Sequence, residues 1–451
     1  MISKVILLSY TPNPEKICDS AARLSQIDKT GVEIYKSEYN KSVLPVVMKL
    51  GHRSVAEHAY FNFVFENVSV FVEHFMIEFR LGAYTVKSRR YVDFRKAGFI
   101  IPDFLNMPDF SHLKNKFIKN AEFLFNTYSE LLELDIPAED ARFILPYCFK
   151  SNFFLSMNAR ELIHAVYSMI KGKGSKYPEI KTLGESMLSQ LEKAAPGIFN
   201  EISNLITGKE DKWEKIKEII PFDENSNSEE KVQLIFSQEN AHEIIIESIC
   251  KVLNSDYKSL SEKDKSKIID IIIEDRRSRE LETANFTFSF NNVSYPFLTH
   301  FIRHRIHSPI IPPFEYTGYE NVVIPHTIKK NEQTLKLYNQ AVKQNINFNR
   351  TLIEAKIPSN YFVYSRIAGN VLNVVSTMNS RELYHFLALR TCERAQWEIR
   401  EYSEILLKQL KKENPVLFKK AGPGCVLYGK CPEGKMTCGK MKEKQEYYSK
   451  L

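Results

Sequence analysis

The sequence predicts an α+β fold, built twice in tandem within one chain of 451 residues. Short aromatic-rich strands alternate with long helical stretches, and neither a regular βαβ rhythm nor a glycine-rich strand-to-helix turn occurs. Two blocks also recur along the chain at nearly the same offset. Each half is expected to be a small mixed or antiparallel sheet packed with long helices. With 43% hydrophobic residues the chain can fill more than one core, and single cores stop growing near about 250–300 residues.

The first elements set the pattern. "KVILLSYTPNPEKICDSAARL" (4–24) reads as an apolar strand, a Pro/Asn turn and a helix, and "KVQLIFSQENAHEIIIESICKVL" (231–253) repeats that order. Next, "HAYFNFVFENVSVFVEHFMIEFR" (58–80) and "TANFTFSFNNVSYPFLTHFIRHR" (283–305) align without a gap at an offset of 225. Each reads as an alternating aromatic strand, a polar turn and a helical run ending in Arg. A second block, "MNARELIH" (157–164), returns as "MNSRELYH" (378–385) with six of eight positions identical.

Long helices fill the rest. "HLKNKFIKNAEFLFNTYSELLEL", "TLKLYNQAVKQNINFNRTLIEAK" and "RELYHFLALRTCERAQWEIREYSEILLKQLKK" carry apolar residues at spacings of three and four. The polar, turn-rich "PFDENSNSEE" (221–230) has nothing to bury and reads as a linker. The expected layout is therefore a domain over 1–220, the linker 221–230, a second domain over 231–420 and a basic cysteine-containing tail over 421–451.

A formal charge of +7 and a pI near 8.8 suit an anionic ligand without demanding nucleic acid. No stretch approaches the run of about 18–20 apolar residues that a membrane span needs, and the first residues lack a basic region and cleavage site, so a cytoplasmic protein is expected. Cys18, Cys148, Cys250 and Cys392 are scattered through apolar or mixed segments and show no chemistry. Cys425, Cys431 and Cys438 in the tail are spaced by six and seven, unlike the close pairs of strong zinc sites, and a fourth ligand is not evident nearby. No metal is expected.

The densest charge lies in "RHRIHSPIIPPFEY" (303–316). Arginine offers a planar, permanently charged fork suited to phosphate, so Arg303 and Arg305 around His304 could clamp a nucleotide phosphate or form a structural ion-pair node. The triplet has company: "RHRIHS" with Tyr316, "NSRELYHFLALR" (379–390), "AQWEIREYS" (395–403) and "HRSVAEHAYFNF" (52–63). Together these resemble the flavin-dependent thymidylate synthase family (ThyX), whose signature runs RHRxxSxNxxSxRY, and the resemblance covers almost the whole chain as two tandem copies.

That resemblance implies conversion of deoxyuridylate to thymidylate, with methylenetetrahydrofolate as carbon donor, FAD as flavin and NADPH as reductant. It also implies small-molecule nucleotide and folate partners and no membrane or nucleic-acid partner. Family tetramers place their sites between subunits, so a tandem chain is expected to be a homodimer. By the same likeness Ser54, Glu57, Asn158, Arg160, His164, Arg303, His304, Arg305, Ser308, Asn379, Arg381 and His385 would bind the flavin. Arg303, Ser88, Arg90, Arg142 and Arg390 would bind the nucleotide, with Arg390 and Ser88 as the catalytic candidates. Ser88 has no His and Asp partners placed by the sequence to activate it, and reads as a positioning hydroxyl.

The two copies have lost complementary parts of the signature. "EFRLGAYTVKSRRY" (78–91) has Glu78 and Phe79 in place of Arg and His but keeps Arg80, Ser88, Arg90 and Tyr91. The second copy keeps Arg303, His304, Arg305, Ser308 and Tyr316 and has Pro313 and Glu315 for the later Ser and Arg. Arg142 has Val363 as its repeat counterpart, and Arg390 has Met169. A composite site is expected, drawing Arg303, His304, Arg305 and Arg390 from one half and Ser88, Arg90 and Arg142 from the other. Both copies depart from the family at its loop glutamate, where Val86 and Ile311 stand, and at an upstream glutamine, where Phe75 and His300 stand. Flavin-dependent C5 modification of another pyrimidine nucleotide, or a non-catalytic nucleotide- or RNA-binding role, are the alternatives.

Overall fold

The computed structural model describes residues 2–200, 202, 212–220, 223, 228–275 and 277–451. In the first repeat, strands β1 (Lys4–Tyr10), β2 (Tyr60–Ser69), β3 (Ala83–Val86) and β4 (Lys150–Asn158) accompany helices α1 (Pro14–Leu24), α2 (Val70–Ile77), α3 (Lys114–Glu133) and α4 (Ala159–Ile170). The second repeat supplies β5 (Val232–Ser237), β6 (Asn285–Ser294), β7 (His307–Ile310) and β8 (Val371–Asn379). Its helices include α5 (Ala241–Val252), α6 (Tyr295–Phe301), α7 (Glu332–Glu354), α8 (Ser380–Arg390), α9 (Trp397–Glu413) and α10 (Met441–Ser449).

Each repeat makes a four-stranded antiparallel sheet of the same order, β1-β2-β4-β3 and β5-β6-β8-β7. The aromatic alternation read from the sequence explains the burial: Phe61, Phe63 and Phe65 are fully buried on one face of β2, and Phe286, Phe288 and Phe290 on β6. The polar residues that read as a turn are instead a break inside the strand. Asn67 and Asn292 take left-handed backbone angles (φ 52° and 56°), and the ladder shifts at Phe65/Val68 and Phe290/Val293. The same repair appears twice, since the freed N–H of Asn67 donates to Asn152 and that of Asn292 to Asn373, both at 2.8 Å. Each strand then runs directly into its helix, capped by Ser69 or Ser294. Helices α2 and α6 stop before the arginines, so Glu78–Arg80 and Arg303–Arg305 lie in the loops that lead to β3 and β7.

The stretch 381–412, continuous in its apolar pattern, is two helices. Thr391 bonds back to Leu387 O at 2.7 Å, and Gln396 accepts from Ile399 N at 3.1 Å to cap α9, so the chain breaks between them. That break contains Cys392.

The chain divides into two compact units, one of residues 1–224 and 324–369, the other of 225–323 and 370–451. Helix α7 of the second repeat thus belongs with the first sheet: the Asn120 side-chain amide donates to Asn345 Oδ1 at 2.9 Å in a buried contact with α3. Tyr147 N to Arg366 O at 2.7 Å and Ala368 N to Leu145 O at 2.9 Å stitch the following segment to the same unit. Of the expected linker 221–230, residues 221, 222 and 224–227 lie outside the described residues. The C-terminal stretch packs into the second unit: Tyr448 of α10 is 1% exposed, its carbonyl accepts from Lys411 and its hydroxyl donates to Glu404. Among the described residues no helix is long and apolar enough to cross a membrane.

Candidate functional site

In the second unit, β7 pairs with β8 in the register His307↔Met378 to Ile310↔Val375, which brings the Arg303–Arg305 loop beside the start of α8. Asn379 caps α8 by accepting from Glu382 N at 2.9 Å, so this conserved-in-both-copies asparagine sets the direction in which Arg381, Glu382 and His385 leave the helix. The loop alternates: Arg303 and Arg305 are exposed while His304 between them is buried.

His304 is held at both ring nitrogens. Its Nδ1 lies 2.9 Å from Glu382 Oε1, and its Nε2 accepts from Arg390 Nε at 2.9 Å; Arg390 also donates to His300 O at 2.9 Å. Accepting at Nε2 fixes the proton on Nδ1, which donates to Glu382. Burial, reinforced by Arg390, keeps the ring far below the ordinary histidine value and therefore neutral. Burial also pushes the Glu382 carboxyl up to about 7, against the pull of Arg381 and Arg390.

His304 and Glu382 border a cavity of about 640 Å³ that Arg303, Arg305, Arg381, His385, Leu427 and Tyr428 also line, within the size range of small-molecule sites, and Arg390 reaches it through His304. Arg381 is itself ion-paired with Glu282. Ser308 lies on β7 opposite Thr377. Glu382 and the wall residue Tyr428 were not picked out from the sequence. Glu382 could have been, because it sits inside the repeated "RELYH" block.

The corresponding loop of the first unit is filled differently. Phe79, at the position of His304, packs edge-on against His164 with ring centroids 5.4 Å apart, and Glu78 is ion-paired with Lys173. Asn158 caps α4 as Asn379 caps α8, and Arg160 pairs with Glu57. Ser54 and Glu57 are exposed on the short helical segment Arg53–His58 before β2.

What the first unit does hold is a cluster of arginines. Arg89 reaches both carboxylate oxygens of buried Glu73 at 2.8 Å, and Arg90 pairs with Glu139 at 2.7 Å. Arg142 is buried, donates from Nε to Glu139 O at 3.0 Å, and has one terminal nitrogen buried without a hydrogen-bond partner. Its own burial and the neighbouring charge of Arg89 lower it to about 10. The Ser88 hydroxyl accepts from Arg90 N at 3.3 Å, which is a positioning contact. Ser88, Arg90 and Arg142 thus share one neighbourhood built on Glu139, and the guanidinium cluster with an unfilled donor is suited to an anion.

Comparison with known proteins identifies the family. The family described as "Thymidylate synthase complementing protein" matches residues 6–197 and again 229–416. The flavin-dependent thymidylate synthase of Geobacter sulfurreducens is 35% identical over 201 residues, covering 43% of this chain and 85% of that protein. The enzyme of the same name from Clostridium tetani is 31% identical over 211 residues, covering 42% of this chain and 84% of that protein. A solved structure of the UMP/dUMP methylase PolB from Streptomyces cacaoi, bound with 5-Br dUMP, aligns with a TM-score of 0.40 and 20% identity, covering 46% of this chain and 98% of that chain. With a match in each half, the chain belongs to the thymidylate synthase complementing protein family of flavin-dependent methyltransferases, as a tandem duplication.

Proposed function

We propose that this chain is a flavin-dependent thymidylate synthase that methylates deoxyuridylate at C5, with methylenetetrahydrofolate as carbon donor and NADPH as the source of reducing equivalents. The observation that carries the reading is His304, buried and clamped between Glu382 and Arg390 at the edge of a cavity of about 640 Å³ that is rimmed by arginines. A large, oxygen-rich, anionic cofactor fits that donor set: Arg303 and Arg305 would meet phosphate, while Asn379, Arg381 and His385 would hold it along α8. When bound, the flavin would supply the reducing electrons.

The chain's own contribution is electrostatic. Arg390, anchored on His304 and His300, would hold the pyrimidine and favour its ionisation at N3, because a fixed cation in a sheltered site stabilises a developing anion. Ser88, Arg90 and Arg142 would hold the nucleotide phosphate, and the complementary losses between the repeats support the assignment of these two groups to one composite site. The chain would then act as a homodimer with one flavin per chain, in the cytoplasm where its substrates are made.

The test is to incubate the purified chain with deoxyuridylate, methylenetetrahydrofolate and NADPH, while recording flavin absorbance and stoichiometry. Thymidylate formation with about one FAD per chain is expected. Val86, Ile311, Phe75 and His300 motivate a second reading, in which another pyrimidine nucleotide is modified at C5. A flavin-loaded chain that makes no thymidylate but oxidises NADPH with another nucleotide would favour it. A colourless protein would overturn both.

A further inference from the structure

The break between α8 and α9 gives Cys392 company that its place in the sequence did not suggest. Cys392, Cys425, Cys431 and Cys438 all line one small cavity of about 20 Å³, together with Glu433, Arg394 and Lys444. A space of that size holds a single atom or water. The four thiols are all unbridged; Cys425 feels the electrostatic field of the other three sulfur atoms, and Cys392 that of Cys431 and Cys438. Tail spacing alone left the three terminal cysteines one ligand short. The end of α8 supplies the fourth.

We propose that Cys392, Cys425, Cys431 and Cys438 form a four-thiolate site for one zinc ion. Four thiolates are a preferred tetrahedral set for structural zinc, and the two pairs of attachment points fit that use. Cys392 and Cys425 are anchored on packed backbone, Cys392 accepting the N–H of Arg394 at sulfur, while Cys431 and Cys438 sit on the more exposed segment that follows. Gly434 and Gly439 take left-handed backbone angles in that segment (φ 52° and 75°) with open space around them, so it can turn inward. Among the described residues no three His, Cys, Asp or Glu side chains already stand in ligating geometry, so the metal would close this site by drawing the 431–438 segment onto the anchored pair.

The surroundings suit the product. Zinc with four thiolates carries a net charge of about −2. Lys444, which pairs with Glu393 at 2.6 Å, and Arg394, which donates to Met436 O at 2.6 Å, both line the cavity and would offset it. Cys392 follows Arg390 by two residues, and Cys425 precedes Leu427 and Tyr428, which wall the larger cavity. The metal would therefore fasten that wall to the end of α8.

The experiment is metal analysis of the full chain purified in the presence of a thiol reductant, followed by titration of metal-free protein with Co²⁺ alone. About one zinc per chain is expected, with cobalt giving thiolate-to-metal charge-transfer absorption that saturates at about one equivalent. Cys392→Ser and Cys438→Ser should each weaken metal retention by about tenfold or more, and Cys250→Ala should leave it unchanged. A wild-type chain with neither zinc nor a cobalt charge-transfer band overturns the site, as does full retention in Cys392→Ser or a disulfide among the four cysteines in unreduced protein. Because the cobalt titration is read on the wild-type chain, a variant that fails to fold does not blunt the test. Metal content is also independent of flavin content, so the two readings fail separately.

Discussion

The Nε–H of Arg390 donates to Nε2 of His304 at 2.9 Å, and this one bond decides which ring nitrogen carries the proton. It also fixes the guanidinium, whose second donor is taken by His300 O at 2.9 Å. Arg390 is thus aimed by two acceptors, the His304 ring on the loop that carries the arginine pair and the His300 carbonyl in α6, and its repeat counterpart, Met169, is a fully buried core residue.

Arg390→Lys should therefore be a damaging change despite keeping the charge, because an ammonium cannot reproduce the fork that serves His304 and His300 together. Losing a charge-assisted contact is worth about 1.5–3 kcal/mol, or about 10- to 100-fold in deoxyuridylate affinity. Met169→Leu should leave affinity within about twofold. Calorimetric titration of both variants reads the difference; equal loss at the two positions would contradict the assignment of the nucleotide to Arg390.

The buried pair also predicts a pH signature in stability. The Glu382 carboxyl is raised to about 7 in the folded chain, so between the ordinary carboxylate value and about 7 the folded state keeps a proton that the unfolded chain releases, and stability falls as pH rises. His304 works in the opposite sense. Its folded value lies well below 6.5, so the unfolded chain binds the extra proton as pH drops, and stability rises with pH up to about that value. The two slopes oppose each other in the wild type. Glu382→Gln removes the first and should reveal a steeper gain in stability between about pH 5 and 6.5, measured by denaturant unfolding. A flatter profile in the variant would rule out this coupling.

The duplicated α+β architecture was legible in the sequence because Phe61, Phe63 and Phe65 and their counterparts impose period-two burial, and because the repeated blocks keep their chemistry. The repeated "RELxH" blocks were legible too, but that their asparagines, Asn158 and Asn379, cap α4 and α8 emerged only from the structure. The exchange of α7 was not: an amphipathic helix states which face is buried and not which sheet it will meet, and the Asn120–Asn345 bond that marks the contact looks like two ordinary polar residues. Cys392 was opaque for a related reason. Its partners lie 33 to 46 residues away, and only the break between α8 and α9 turns it toward them.

The difference between His304 and Phe79 predicts which copy binds flavin. His304→Phe should remove the neutral imidazole that links Glu382 to Arg390 and reproduce the packing of the first unit, where Phe79 lies 5.4 Å from His164 and 5.7 Å from Phe75. Flavin per chain, read from the absorption spectrum after gel filtration, should fall from about one to below about 0.1, given that buried polar partners left unpaired cost about 1–3 kcal/mol each. Phe79→His should not add a second flavin, because Glu78 remains committed to Lys173 and no arginine replaces Met169.

Arg142 offers the sharpest separation of function from stability. The residue is 4% exposed, and its guanidinium makes an Nε bond to Glu139 O at 3.0 Å and leaves a terminal nitrogen buried with no hydrogen-bond partner. Burial and the proximity of Arg89 disfavour its charge strongly enough to lower it to about 10, so in the ligand-free chain the group is held at a cost. A nucleotide phosphate would relieve that cost by accepting from the idle nitrogen. Arg142→Met keeps most of the volume and removes the charge, while Glu139 retains its 2.7 Å pairing with Arg90. The ligand-free variant should melt no lower than the wild type, and replacing buried charge with apolar side chains has added about 1–4 kcal/mol in other proteins. Its affinity for deoxyuridylate should drop by about tenfold or more. Thermal unfolding with and without the nucleotide reads both effects on one sample: the wild type gains stability from the ligand and the variant does not. A variant that melts several degrees lower yet keeps its ligand-induced shift would make Arg142 a structural residue and remove it from the phosphate site.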